Sequence, residues 1–223
     1  MVAGVLGKSA MNDFANLNGV PNRMRAFCGD VIKALDGGCF LSALATALVI
    51  PDTMGAIAYP ELVGKKNSRR IGEQYALWFD KYAAPKFAFE TFHDSRSPIP
   101  EKPELVRPVS GAWIWSLRCS LLHQSSTEFA PKESITGLSQ YSVVNFRLTC
   151  NSRSKLSRRQ SFDEHGIAHT TVDVSVDVKD LCLAIVDGVR ITYKAYGPYR
   201  DDGLTLDILD VPDALALFGN RSF

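Results

Sequence analysis

Trp113-Ile114-Trp115-Ser116-Leu117-Arg118-Cys119-Ser120-Leu121-Leu122-His123 is the stretch on which the fold turns. It reads as a helix that is apolar almost all round, and such a helix is normally buried. One arginine and one histidine interrupt it. A guanidinium on a buried helix is costly unless it is paired, or faces a cavity or a partner. Ser110 is a suitable N-cap, which places this helix at about 111–124.

Before that helix the pattern is also helical. Met24, Phe27, Val31 and Leu35 recur at helical spacing after Pro21, and Gly37-Gly38 is expected to stop them. Residues 1–20 show weak periodicity and read as a loosely held arm. Cys39 to Val49 is almost wholly apolar and is expected to end before Pro51. Asp52 to Lys66 reads as a connector, and a third helix is predicted over Ser68–Tyr82, with Ile71, Tyr75, Trp78, Phe79 and Tyr82 on its apolar side. Five prolines between residues 83 and 109 (Pro85, Pro98, Pro100, Pro103, Pro108) mark a long irregular excursion.

Beyond the tryptophan helix the period changes. Tyr141–Thr149 and Ile167–Val174 read as strands rich in branched and aromatic residues. Asn151–His165 between them is expected to be a basic linker. A last helix starts at Ser175 or Asp177 as cap, with Val178, Leu181, Ile185, Val189 and Thr192 inward. The tail from 197 to 223 is turn-rich, with one short helix expected over Val211–Phe218. The fold class is therefore mainly α: a single-domain helical bundle over 21–196, with a small two-stranded β-hairpin insertion at about 141–174 before the last helix. An isolated hairpin is marginal in water, so it should dock on the helices or pair with a second subunit.

Bulk composition narrows the function classes. With 46% apolar and 22% charged residues the chain is ordinary globular protein. A net charge of +1 excludes a strongly basic nucleic-acid coat, although local basic clusters remain. Five cysteines without any C-x-x-C pair argue for reduced thiols and a cytoplasmic location. No signal peptide is expected, and the longest apolar run, Phe40–Ile50, is too short at eleven residues to span a bilayer, so no membrane association is expected. There is no Walker loop, no G-x-G-x-x-G after a strand and no G-x-S-x-G elbow. Asp163, Glu164, His165 and His169, like His93, match no zinc or two-metal spacing, so neither metal nor cofactor is expected.

Arg118 and His123 carry the chemistry. A histidine relays protons near neutral pH, and an arginine grips phosphate oxygens bidentately. Five positions apart, they point roughly 140° from each other on an ideal helix, so they do not automatically share a face. The bland alternative is that Arg118 pairs with Asp52 or Asp80 to lock the bundle, while His123 merely favours the helix C-terminal dipole. The basic runs Lys65, Lys66, Arg69, Arg70 and Arg153, Lys155, Arg158, Arg159 are candidate RNA contacts or simply solvated faces.

Arg118-x(4)-His123 in the last core helix of a small bundle resembles the signature of the HEPN superfamily. The likeness covers about residues 21–196 and extends to a group of uncharacterised bacterial proteins. It rests on IPDTMG (Ile50–Gly55), WFDKY (Trp78–Tyr82), LRCSLLHQ (Leu117–Gln124) and DVKDLCLAIVDGV (Asp177–Val189). The resemblance implies a HEPN-like homodimer in which two motifs face each other, and metal-independent RNA cleavage. Arg118 would hold the scissile phosphate and His123 would handle protons; Cys119, Ser120 and Gln124 are supporting candidates, as is Asp52, which follows a proline and an apolar helix and either orients Arg118 or is an exposed turn carboxylate. It further implies a place in bacterial defence or a toxin–antitoxin system, with a protein antitoxin or defence partner. The chain departs from the family pattern at Cys119, where such nucleases usually carry a polar residue such as asparagine. The alternative function is a non-catalytic HEPN-like module that binds a protein or RNA partner.

Overall fold

The computed structural model describes residues 17, 19–65, 68–87, 90–91, 109–124, 128–129, 143–152, 154–162, 164–166 and 168–196. The expected arm, apart from its last residues, and the tail with its expected short helix lie outside them. Helices dominate: α1 (Asn22–Asp36), α2 (Phe40–Ala47), α3 (Ile50–Ala58), α4 (Ile71–Trp78), α5 (Gly111–Gln124) and α6 (Val178–Tyr196). Among the described residues five strands accompany them, β1 (Glu90–Thr91), β2 (Glu128–Phe129), β3 (Val143–Thr149), β4 (Lys155–Phe162) and β5 (Ala168–Asp177).

Two helices run as the periodicity predicts. α1 begins after Pro21 and buries Met24, Val31 and Leu35, and it ends at Gly37 with Gly38 in the left-handed region at φ 71°. In α6 the whole expected stripe, Val178, Leu181, Ile185, Val189 and Thr192, is buried.

The connector after Pro51 is a correction. Pro51 does not stop a helix but opens α3, because a first-turn residue needs no N–H and proline's fixed φ suits that turn. The helical run Phe40–Ala58 is thus 19 residues with a mean hydropathy of 1.6, long and apolar enough by length and composition to cross a membrane. In this fold its inner side, including Leu44, Leu48, Ile50 and Met54, belongs to the hydrophobic core.

α4 starts at Ile71, later than predicted, and Ile71 itself is exposed. It passes into a π-helical turn (Phe79–Ala83) and a 3-10 turn (Ala84–Lys86). The extra residue of a π turn shifts the helical phase. Phe79, Tyr82 and Ala83 are thereby buried together. Trp78 lies against Gly188 of α6, where an added Cβ would sit 2.9 Å from the indole. The indole Nε1 donates to Thr192 Oγ1 at 2.8 Å, joining α4 to α6.

The β region differs most from the expected hairpin. The two expected strands do neighbour each other, but β3 and β5 run parallel, from Val143↔Thr171 to Thr149↔Asp177. The basic segment read as a linker contains β4, which pairs antiparallel with the other edge of β5. The sheet order is β1-β4-β5-β3-β2, so β5 is inserted between β3 and β4. Phe146, Val174 and Val176 give it a buried face that joins the helical core.

The β3–β4 connection must therefore pass the end of β5, and Asp177 secures it there. Its Oδ2 accepts from Ser152 N at 2.9 Å, and its own N–H donates to Ser154 Oγ at 3.0 Å. Its Oδ1 accepts from Asp180 N at 3.0 Å, capping α6 three residues in. Asp177 was one of the two expected caps; the joint with 150–154 was not foreseen.

Candidate functional site

Two close helix crossings bring the candidate residues together over α4. α3 meets α4 at Gly55, where a Cβ would lie 2.7 Å from the Gln74 carbonyl. α5 meets α4 at Gly111, where a Cβ would fall inside the van der Waals shell of the Ala76 carbonyl. Asp80, from the π turn, accepts a hydrogen bond from Gly111 N at 2.6 Å and so fixes the start of α5. Asp80 is thereby committed to α5's first turn. The carboxylate that reaches Arg118 is Asp52, one turn before Gly55.

Arg118 Nη2 donates to Asp52 Oδ2 at 2.9 Å, and the two side chains are 19% and 20% exposed. These values place the pair at the rim of the core, neither sealed nor freely solvated. The guanidinium carbon also sits 5.0 Å from the Trp115 ring centroid, three positions back on the same helix. Trp115 is held in turn by Tyr75, ring centroids 5.1 Å apart, and the Tyr75 hydroxyl donates to the Leu48 carbonyl at 3.2 Å. Asp52 Oδ1 is buried and has no hydrogen-bond partner among the described residues. Burial raises the Asp52 carboxyl above its ordinary value, although Arg118 and Arg69 both act to lower it.

The site has a second arginine. Arg69 Nη2 donates to the main-chain carbonyl of Asp52 at 2.7 Å, and its Nε donates to Gln74 Oε1 at 3.0 Å. Gln74 is 1% exposed, and its Nε2 donates to the Tyr59 and Leu62 carbonyls at 2.8 and 3.2 Å. The loop from Tyr59 to Arg70 is thus braced on α4, helped by the Val63–Arg69 bridge, and presents Arg69 beside Asp52.

The other predicted site residues divide clearly. Ser120 is 5% exposed on the core side of α5, roughly 200° of helical turn from Arg118, and so does not share its face. Cys119, next in sequence, is a half-buried free thiol. His123 and Gln124 occupy the last turn of α5, and their side chains lie outside the described residues. Arg70 is paired with Glu73 at 2.5 Å, and Lys65 is exposed, its carbonyl accepting from Ser68 Oγ. Lys66 and Arg153 lie outside the described residues, as do the side chains of Lys155, Arg158 and Arg159, whose backbones form part of β4.

Among the described residues no group of three or more His, Cys, Asp or Glu could hold a metal ion. The five cysteines are unpaired thiols, and burial pushes Cys28 and Cys182 up to about 12. Sequence reasoning named Asp52 as one option for Arg118 but missed Trp115 and Gln74. The i, i+3 spacing of Trp115 and Arg118 was a usable signal for the first; nothing local marks Gln74. Comparison finds no family model, curated protein or solved structure that matches this chain.

Proposed function

We propose that the protein is a HEPN-like, metal-independent endoribonuclease whose site is built from Arg118 and His123 and completed by a second copy of the chain. The observation that carries this reading is the Asp52–Arg118 pair: a guanidinium held in place by a carboxylate and an indole, yet one-fifth exposed at the rim of the core. A charge sealed inside an apolar core is costly. A preorganised charge at a wet edge suits binding of an anionic phosphodiester. In RNA the 2′-hydroxyl is itself the nucleophile. It attacks phosphorus, the 5′-oxygen leaves, and a 2′,3′-cyclic phosphate remains. Arg118 stabilises the charge on the non-bridging oxygens, His123 transfers protons, and Asp52 is a positioning residue for the guanidinium.

The five-residue spacing of Arg118 and His123 supports the dimer part of the proposal. On an ideal helix that spacing separates the two positions by roughly 140°. A substrate that meets both must then draw at least one of them from a second copy, or reach around the helix. The test is incubation of the full chain with RNA in EDTA. Cleavage to 2′,3′-cyclic ends is expected, and its loss in both Arg118→Ala and His123→Ala with folding retained. Cutting that persists in both variants overturns the reading.

A second reading, a non-catalytic interaction module, is favoured by one observation. Arg118 already has a structural occupation, bridging α3 and α5 through Asp52. On that reading no RNA is cut, and Arg118→Ala costs several kcal/mol by stranding Asp52.

A further inference from the structure

Asp52 holds two guanidiniums at once, Arg118 on its carboxylate and Arg69 on its main-chain carbonyl. The two are supported by separate elements, α5 and the braced loop before α4. Among the described residues no carboxylate forms an ion pair with Arg69, whose two bonded partners are neutral oxygens. An arginine needed only to staple the loop gains nothing from being at the surface, yet Arg69 is exposed while its support, Gln74, is buried. The planar fork presents five N–H donors, and those two bonds leave donors free for an anion.

We infer that Arg69 is a second phosphate-binding residue of the Arg118 site, taking the phosphate next to the scissile one on a single RNA strand. Both guanidiniums contact one residue, so they lie within the reach of two successive phosphates. This inference rests on the nucleic-acid reading of the site but not on catalysis. The site is thereby one for RNA with at least two consecutive phosphodiesters, and a dinucleoside monophosphate is a poor ligand.

Binding of two uncleavable 2′-deoxy ligands to the full chain tests it, one with a single phosphodiester and one with two. Wild type is expected to prefer the longer ligand by about tenfold, the worth of one charge-assisted contact. Arg69→Gln is expected to remove that preference by weakening the longer ligand more than the short one. The salt dependence for the longer ligand should also fall by roughly 0.7 in log–log slope, one phosphate's share on a single strand. A mere loop staple would weaken both ligands equally and leave the slope alone, and that outcome overturns the inference. A preference that survives in Arg69→Gln also overturns it, as does the absence of binding by wild type. If the Arg69-dependent preference appears but wild type cuts no RNA in EDTA, cleavage falls while Arg69 stands. If RNA is cut equally well by wild type and Arg69→Gln with no change in slope, Arg69 falls while cleavage stands.

Discussion

Asp52 and Asp177 are both aspartates at the start of a helix, and the fold treats them in opposite ways. Asp177 is 2% exposed, and each of its carboxylate oxygens accepts a main-chain N–H. Asp52 is half-buried, gives one oxygen to Arg118, and leaves the other without a hydrogen bond among the described residues. A buried polar group satisfied on every side rigidifies its surroundings. One left partly satisfied is a cost that a fold retains where the group has another task, such as aiming a charge at a ligand. Asp177 is a joint between sheet and helix, whereas Asp52 belongs to a site on the proposed reading.

The largest effect that would sharpen this contrast lies at the joint. Asp177→Ala removes the α6 cap and strands the Ser152 N–H, so a loss of about 3 kcal/mol is expected by chemical denaturation. Asp177→Asn keeps an acceptor oxygen and should lose clearly less. A loss below about 1 kcal/mol in Asp177→Ala would remove the contrast, because Asp177 would then be no more structural than a surface cap.

The joint also shows how much of the fold was legible. α1 and α6 could be read because their apolar residues keep the 3.6-residue period and one face of each is buried. β4 could not, since Lys155-Leu156-Ser157-Arg158-Arg159-Gln160-Ser161-Phe162 has no alternating apolar face to announce a strand. The parallel pairing of β3 with β5 was hidden for a related reason. It brings Asp177 beside Ser152, whose N–H it accepts, a contact between residues 25 apart that no local pattern encodes. At the site, Asp52 was legible as one of two carboxylates for Arg118. The choice against Asp80 was made by the π turn, which hands Asp80 to Gly111. Arg69 looked like one member of a basic run, and its bonds to Gln74 and the Asp52 carbonyl distinguish it from Arg70, which pairs with Glu73.

A smaller effect is expected at the site. A double-mutant cycle between Asp52→Ala and Arg118→Ala should give a coupling of about 1 kcal/mol, as for a partly screened ion pair. A coupling above about 3 kcal/mol would make the pair a lock of the Asp177 kind and would favour the interaction-module reading over the nuclease.

The smallest effect is one of sign, and it asks which force governs Asp52. Burial raises its carboxyl above the ordinary 3.8, and the attraction of Arg118 and Arg69 does not offset that. The native state therefore holds this proton more tightly than the unfolded chain. Asp52's contribution to stability is then greatest at low pH and declines as pH rises from about 3.8 through the raised value, levelling off above it. The stability of wild type minus that of Asp52→Asn, followed by denaturant titration across the acid range, should fall as pH rises. A difference that grows with pH instead would mean that Arg118 outweighs burial. Asp52 would then be a well-paired structural carboxylate, and its free oxygen would cease to mark a site.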